Sequence, residues 1–363
     1  MSGKFLPIYT LIRLVCYNCT YMRYKFFTNS ERAWQGMFVS IENANKSIYI
    51  EMYIFLDDMK AINFIELLIQ KAKSGVRVRL VLDSFGSAQL STKAIESLRE
   101  AGAEVRFFSS FLHRTHRKIL IIDEKTAFIG GVNFHQHTKD WKDLVVRVEG
   151  RVVKYITRSF AKIYILCGGK DPVIIALRKN IKMKEIQTWF VEHLPGRSHR
   201  LKEIYKEHIS SAEKSVYLVT PYFMPKRWLS RALYNATMMG VNVEIFVPLK
   251  TDHYIIDRVN YFYMYRLAKR GVNFYLSSTM NHAKLMVIDE KEAMVGSQNL
   301  DSLSFDWNAE AGIFLKDFKA VSNILNILKD WKSESYLFDF KNYKPRLIDY
   351  ILFPFVSFFS RIL

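Results

Sequence analysis

The chain is poor in the residues that would place it in several large protein classes. It has 3 cysteines among 363 residues, an odd number that argues against a disulfide framework and suits a reducing compartment. Cys16 and Cys19 form a single C-x-x-C, with no second pair to complete a zinc site. No run reaches the roughly 18 uninterrupted apolar residues of a spanning helix. The apolar N-terminal stretch KFLPIYTLIRLVCY is broken by Arg13 and lacks a small-residue cleavage site, so it makes a poor signal peptide. Neither a G-x-x-x-x-G-K-[ST] phosphate loop nor an H-E-x-x-H metal helix is present. The expectation is chemistry without a cofactor and without a metal. Acidic residues are also scarce, 35 against 53 Lys and Arg, for a formal net charge of +18. Such a field favours anionic partners, whether nucleic acid, acidic metabolites or an anionic membrane leaflet, and does not choose among them.

Apolar material is abundant. Half the residues are hydrophobic and 15% are aromatic, which excludes a disordered chain. The length suits two domains of the usual ~100–200 residues. The C-terminal PRLIDYILFPFVSFFSRIL is apolar and aromatic, bracketed by Arg346 and Arg361 and interrupted by Pro354. It is too short to cross a bilayer and suits an interfacial anchor, or a segment docked on the protein's own core.

The sequence repeats itself. NKSIYIEMYIF (45–55) aligns with EKSVYLVTPYF (213–223), SGVRVRLVLD (74–83) with MGVNVEIFVP (239–248), and AGAEVRFF (101–108) with RGVNFYLS (270–277). HRKILIID (116–123) and HAKLMVID (282–289) close the series. The order is kept throughout, with offsets from 165 (Gly75 to Gly240) to 169 (Gly102 to Gly271). Helical stretches end at a glycine and are followed by alternating strands. The expected fold is therefore α/β, two tandem repeats, each a mostly parallel sheet flanked by helices. A pseudo-twofold would bring equivalent strand ends into one shared active site. The repeats are expected at 29–165 and 197–340. An apolar and basic segment (1–28), a connector (166–196) with GGKDP and LPGR turn signals, and the aromatic C-terminal segment (341–363) complete the chain.

In a strand, residues two apart share a face. His116 and Lys118 therefore point together while Arg117 points away, and His282 and Lys284 do the same around Ala283. The aliphatic runs 119–122 and 285–288 anchor each strand, so the polar pair is rigidly held. Beyond Asp123 come Gly130, Gly131 and Asn133; beyond Asp289 come Gly296, Ser297 and Asn299. An asparagine amide can donate to a phosphate oxygen. Each copy also offers an acid 27 or 28 residues after its histidine, Asp143 and Glu310. A carboxylate on the far ring nitrogen fixes the tautomer and sharpens the histidine as nucleophile or base. Two histidines, two lysines and two asparagines suit an anionic tetrahedral centre: one imidazole attacks phosphorus, the other protonates the leaving oxygen. Neither half is then a complete enzyme. His135 and His137 have a ligand-like spacing but read as a solvated loop pair.

The pattern H-x-K-x4-D-x6-G-[GS]-x-N resembles the signature of the phospholipase D superfamily, and YIFLDD, IGGVNF, WKDLVVRVEG, TPYFMP and VGSQNLDSLSFDWNAE resemble the bacterial cardiolipin synthases of that type, in their short, peripheral form. The resemblance implies a catalytic set of His116, Lys118, Asp123, His282, Lys284 and Asp289, with Asp123 and Asp289 supporting the site, and substrate phosphate bound by Lys118, Asn133, Lys284 and Asn299. It implies a phosphatidyl-histidine formed from phosphatidylglycerol with loss of glycerol, His116 as nucleophile and His282 as acid and base. A second lipid hydroxyl then yields cardiolipin. It also implies phosphatidylglycerol, cardiolipin and the membrane surface as partners, no nucleic acid, and a peripheral place on the cytoplasmic face of a bacterial inner membrane. Many relatives carry arginine in a D-x-R-S stretch where this chain has Leu303, which bears on acceptor choice. A lipid hydrolase and a phosphodiesterase or nuclease share the same pocket and stay open as alternatives.

Overall fold

The computed structural model describes residues 23–110, 113–179, 188–195 and 200–350. The first half runs β1 (Tyr24–Asn29), α1 (Ser30–Glu42), β2 (Ser47–Met52), α2 (Phe64–Lys73), β3 (Arg77–Asp83), α3 (Thr92–Glu100), β4 (Glu104–Phe108), β5 (Arg114–Thr115), β6 (Lys118–Ile122), β7 (Thr126–Gly130), β8 (Lys142–Glu149) and α4 (Arg151–Leu166). The connector supplies α5 (Pro172–Leu177) and β9 (Thr188–His193). The second half follows as α6 (Arg200–Ser210), β10 (Ser215–Val219), α7 (Arg227–Met238), β11 (Asn242–Pro248), α8 (Tyr254–Ala268), β12 (Asn273–Ser277), β13 (Leu285–Ile288), β14 (Glu292–Gly296), β15 (Asn308–Leu315), α9 (Phe318–Ser333) and β16 (Ser335–Leu337). Local chemistry sets many of these bounds. Asn29, Asn63, Ser91 and Asp317 each accept from a backbone N–H of the helix they begin. Gly75 and Gly240 take positive φ where α2 and α7 end.

The first sheet has the order β1-β8-β7-β6-β2-β3-β4, and the second β16-β12-β11-β10-β13-β14-β15-β5, with β9 also paired to β15. The expectation of mostly parallel sheets is corrected here: both are mixed. Parallel pairing in the repeats is confined to β2-β3-β4 and its counterpart β10-β11-β12. The strand carrying each motif runs antiparallel to its neighbours on both sides. The physical reason lies in the motif itself. Asp123–Glu124 and Asp289–Glu290 all have φ between 52° and 57°, the positive values that a type I′ hairpin turn demands at both central positions. Each motif strand therefore folds straight back into β7 or β14.

Both faces of the motif strands are covered, which explains their unbroken aliphatic runs. Ile119 and Ile121 face a core shared by the two halves, together with Leu285, Val287 and residues of α4 and α9. Leu120 and Ile122 face the first half's own helices, and Met286 and Ile288 face the second half's. Tyr24–Asn29 pairs with β8 as an edge strand, so residues 24–28, expected in the separate segment 1–28, join the first sheet. Residues 1–22 and 351–363 lie outside the described residues, and with them Cys16, Cys19 and most of the apolar C-terminal stretch. Among the described residues no helix is long and apolar enough to cross a membrane.

Candidate active site

The halves meet by exchanging backbone hydrogen bonds next to the motif histidines. His116 N–H donates to Ala309 O at 3.0 Å, and His282 N–H donates to Lys142 O at 2.7 Å. β5 pairs in parallel with the start of β15, aligning Thr115 with Ala309. The residue after each accepting carbonyl is an acid, so the acid lands beside the other half's histidine. His116 Nδ1 lies 3.0 Å from Glu310 Oε1, and His282 Nδ1 lies 2.9 Å from Asp143 Oδ2. Sequence spacing suggested that each acid serves its own repeat's histidine; the structure crosses the pairs.

All four groups are buried. With Nδ1–H donating to a carboxylate, Nε2 is the nitrogen left for chemistry. Burial, with Lys284 and Lys118 adding, pushes His282 down to about 4, outweighing Asp143. Burial and Lys118 likewise lower His116 against the pull of Glu310. Both shifts favour the neutral imidazole. Burial would raise Glu310, but His116, Lys118 and Ser297 together hold it below the usual carboxylate range. Its two oxygens also accept from the hydroxyls of Ser304, at 2.7 Å, and Ser297.

Lys118 and Lys284 each donate to the carbonyl of their own motif histidine, which fixes the ammonium beside the imidazole. Burial lowers Lys284 to about 8 and holds Lys118 well below the ordinary lysine range. Both shifts come first from burial, and acids near each lysine, Glu310 and Asp143 among them, oppose it. Asn133 and Asn299 are 5% exposed. Ile54 N–H donates to Asn133 Oδ1 at 3.4 Å, leaving the amide nitrogen as the donor end.

The motif aspartates do something else. Seven residues of strand separate His116 from Asp123, roughly 23 Å of chain. Asp123 accepts backbone N–H bonds from Asn45, Lys46 and Ser47, and Asp289 does the same for Glu213, Lys214 and Ser215. Burial would raise both carboxyls, yet these donors hold them low. Asp123 and Asp289, grouped with the catalytic set from resemblance, lock the hairpin ends and touch no reacting group. His135 is held by Asp58 at 2.6 Å, and no cluster of three potential metal ligands occurs among the described residues. Arg117 points away as expected and is fully buried, donating to Ser159 Oγ at 2.6 Å with Glu51 at 3.6 Å.

The sequence model of the family described as "Cardiolipin synthase, PLD-like domain" matches residues 37–164 and 205–331. The chain belongs to this family. It is similar to a "Probable cardiolipin synthase YwiE" of Bacillus subtilis (strain 168), 29% identical over 361 residues, covering 93% of this chain and 72% of that protein. A "Cardiolipin synthase 2" of Bacillus anthracis is 31% identical over 330 residues, covering 85% of this chain and 64% of that one. A cardiolipin synthase of Clostridium perfringens (strain SM101 / Type A) is 31% identical over 315 residues, covering 80% and 66%. The chain thus spans between 64% and 72% of the length of these relatives. Among solved structures, phosphatidylserine synthase of Haemophilus influenzae Rd KW20 superposes with a TM-score of 0.75 at 15% identity, covering 93% of this chain and 94% of that one. Polyphosphate kinase of Porphyromonas gingivalis gives 0.61 at 14% identity, covering 94% and 53%. At these identities the likeness is one of fold.

This member of the cardiolipin synthase, PLD-like domain family also places residues around the histidines that motif spacing did not flag. Tyr53 packs edge-on to His116, with ring centroids 4.8 Å apart, and Lys118 Nζ sits 4.9 Å from the Tyr53 ring. Trp141 and Tyr222 flank His282 at 5.3 and 6.4 Å. These residues lie inside YIFLDD, WKDLVVRVEG and TPYFMP, which is the signal that could have singled them out. Asp301 is 3% exposed and accepts from Ser304 N–H at 2.8 Å; burial pushes its carboxyl up to about 6. Leu303 opens the wide helical turn Leu303–Trp307 that carries Ser304 to Glu310.

Proposed function

We propose that the chain is a phosphatidyltransferase that makes cardiolipin from phosphatidylglycerol through a phosphohistidine. The reading rests chiefly on the crossed pairs: two buried imidazoles, each oriented by a carboxylate of the other half and each accompanied by the buried lysine of its own motif. The motif matches and the family membership support the same chemistry.

In the first step His116 Nε2 attacks the phosphodiester phosphorus. The bond from phosphorus to the glycerol oxygen breaks, and His282 Nε2–H gives that oxygen its proton. Burial disfavours the charged form of His282, so the proton is gained as substrate binds. An incoming phosphodiester supplies a negative charge beside it and moves its pKa upward. Lys118, Lys284, Asn133 and Asn299 surround the non-bridging oxygens, whose charge grows in the transition state. In the second step His282 takes the proton of an acceptor hydroxyl, from a second phosphatidylglycerol. That oxygen forms its bond to phosphorus, and the bond to His116 Nε2 breaks. One phosphodiester replaces another, so no energy input is needed. Asp143 and Glu310 keep Nδ1 protonated and stabilise each imidazolium as it forms. Phosphatidylglycerol, cardiolipin and an anionic bilayer are the partners in this reading, with the protein peripheral on the cytoplasmic face of the bacterial inner membrane. The field of the +18 chain suits such a surface.

The test is a product assay with purified protein, phosphatidylglycerol alone and then with phosphatidylethanolamine, metal chelated, and lipids resolved by mass spectrometry. Cardiolipin and glycerol in equal amounts from the wild type, and neither from His116→Ala, are expected. Phosphatidic acid without cardiolipin would make the protein a hydrolase instead.

A further inference from the structure

Among the described residues, exposed apolar side chains gather at the start of α8 and in the segment around residue 348. At the start of α8, Tyr254 is 72% and Ile255 59% exposed, and in the segment that closes the described chain Leu347 is 78% exposed. Ile348 and Tyr350 are also exposed. These two stretches, about 90 residues apart in sequence, are fastened together. Arg258 donates to Asp349 at 2.5 Å, Phe262 and Tyr350 rings are 5.0 Å apart, and Tyr343 packs on Tyr261 and Tyr265. Tyr254 lies one helical turn before Arg258, on the same face. A small cleft lined by Phe262, Tyr265, Arg266 and Tyr350 opens between them.

Tyr222 connects this surface to the chemistry. Its ring lies 6.4 Å from His282, and its hydroxyl donates to Asp252 at 2.7 Å, two residues before Tyr254. Through this bond the residues that lead into α8 are tied to the ring beside His282. Charge agrees with an anionic counterpart. Residues 250–270 contain Lys250, Arg258, Arg266, Lys269 and Arg270 against Asp252 and Asp257. From Tyr350 the chain continues as ILFPFVSFFSRIL, which holds a single charge, Arg361.

We propose that the face formed by the start of α8 and residues 346–350 docks on an anionic phospholipid bilayer, so that a lipid enters the pocket headgroup first past Tyr222. This rests on the phosphatidyltransferase reading and names the surface it needs. A two-chain lipid cannot leave the bilayer cheaply, because each buried CH2 of its chains costs about 0.8 kcal/mol to expose. Its phosphodiester must still reach imidazoles that lie below the surface. An apolar rim with aromatic residues and flanking cations solves both problems, since aromatics settle at headgroup depth and cations meet the anionic lipid.

The test uses the full chain and the double substitution Ile255→Asp, Leu347→Asp. Both side chains are exposed and neither belongs to the catalytic machinery. Phe318→Asp, at an 85% exposed site on α9, serves as control. Binding is read by sedimentation with vesicles of phosphatidylglycerol and phosphatidylcholine. Turnover is read separately on those vesicles and on dihexanoyl phosphatidylglycerol below its micelle concentration. The expected result is a loss of roughly tenfold or more in vesicle affinity for the double variant. Vesicle turnover falls through a higher apparent KM, short-chain turnover is unchanged, and the control behaves as wild type. Wild-type vesicle binding by the double variant would overturn the proposal, as would an equal loss in the control or a change of oligomeric state with vesicle binding intact. Failure of the wild type to turn over lipid in either form would instead defeat the phosphatidyltransferase reading, while sedimentation still decides the surface.

Discussion

Around His116 the partner acid is a glutamate whose two oxygens are held by Ser297 and Ser304. Around His282 it is an aspartate that accepts from Leu144 N–H at 2.7 Å and lies against Gly131. The backbone frames match, and the side chains within them do not. The shorter aspartate leaves no room at the first half's G-G: a Cβ on Gly131 would sit 2.3 Å from Asp143 Oδ1. In the second half the corresponding Ser297 has room and turns its hydroxyl to the longer acid. The duplicated pocket has thus become asymmetric, with a tightly clamped carboxylate on one side and a more simply held one on the other. That difference fits the proposed division of labour. A nucleophile carries positive charge for the lifetime of the intermediate and gains from a fixed, ionised partner, whereas a proton shuttle changes state twice per cycle.

The largest effects should come from the histidines. His116→Ala and His282→Ala are each expected to lower kcat by roughly 10^4-fold or more. A phosphatidyl donor with a nitrophenol leaving group separates them, because that group leaves without a proton. His282→Ala should still release a burst of nitrophenolate, and His116→Ala should release none; the reverse pattern would exchange the two roles.

Next come the acids. Glu310→Gln and Asp143→Asn should each cost roughly 10^2- to 10^4-fold in kcat by loosening the tautomer. Histidine NMR titrations test the crossing itself: Glu310→Gln should shift the titration of His116 and spare His282, and Asp143→Asn should do the opposite. Gly131→Ala should lower activity by roughly ten- to a hundredfold, since the new methyl displaces Asp143, and should cost about 1–3 kcal/mol of stability in denaturant melts. Ser297→Ala should cost less activity, because Glu310 keeps Ser304.

The smallest effect is one of stability. Asp301, raised by burial to about 6, keeps its proton in the folded chain between roughly pH 4 and 6, where an unfolded aspartate has released it. Stability therefore falls as pH rises through that window, and below it the cost vanishes. Asp301→Asn should stabilise the protein by about 1–3 kcal/mol at pH 7.5 and by almost nothing near pH 4. Equal stabilisation at both pH values would show that ionisation is not the cause.

Much of this was legible in the sequence because it is local. The repeat, the glycines that end α2 and α7, and the i, i+2 placement of His116 with Lys118 all follow from short-range geometry. The crossing of the acids was not legible. Asp143 lies 139 residues from His282, and Glu310 lies 194 from His116, so only the meeting of the halves reveals it. The mixed sheets were missed because the Asp-Glu turns carry none of the usual glycine or asparagine. β9 was missed because TWFVEH is a short apolar run inside the connector. Tyr53, Trp141 and Tyr222 lay in motif-like stretches, but spacing alone gives an aromatic residue no role.

The most direct measurement is rapid quench of the wild-type protein with phosphatidylglycerol, followed by peptide mass spectrometry under mildly basic conditions that preserve a phosphoramidate. We expect a phosphatidyl adduct on His116 that forms and decays at rates compatible with turnover. An adduct on His282, or turnover with no histidine adduct at all, would contradict the assignment.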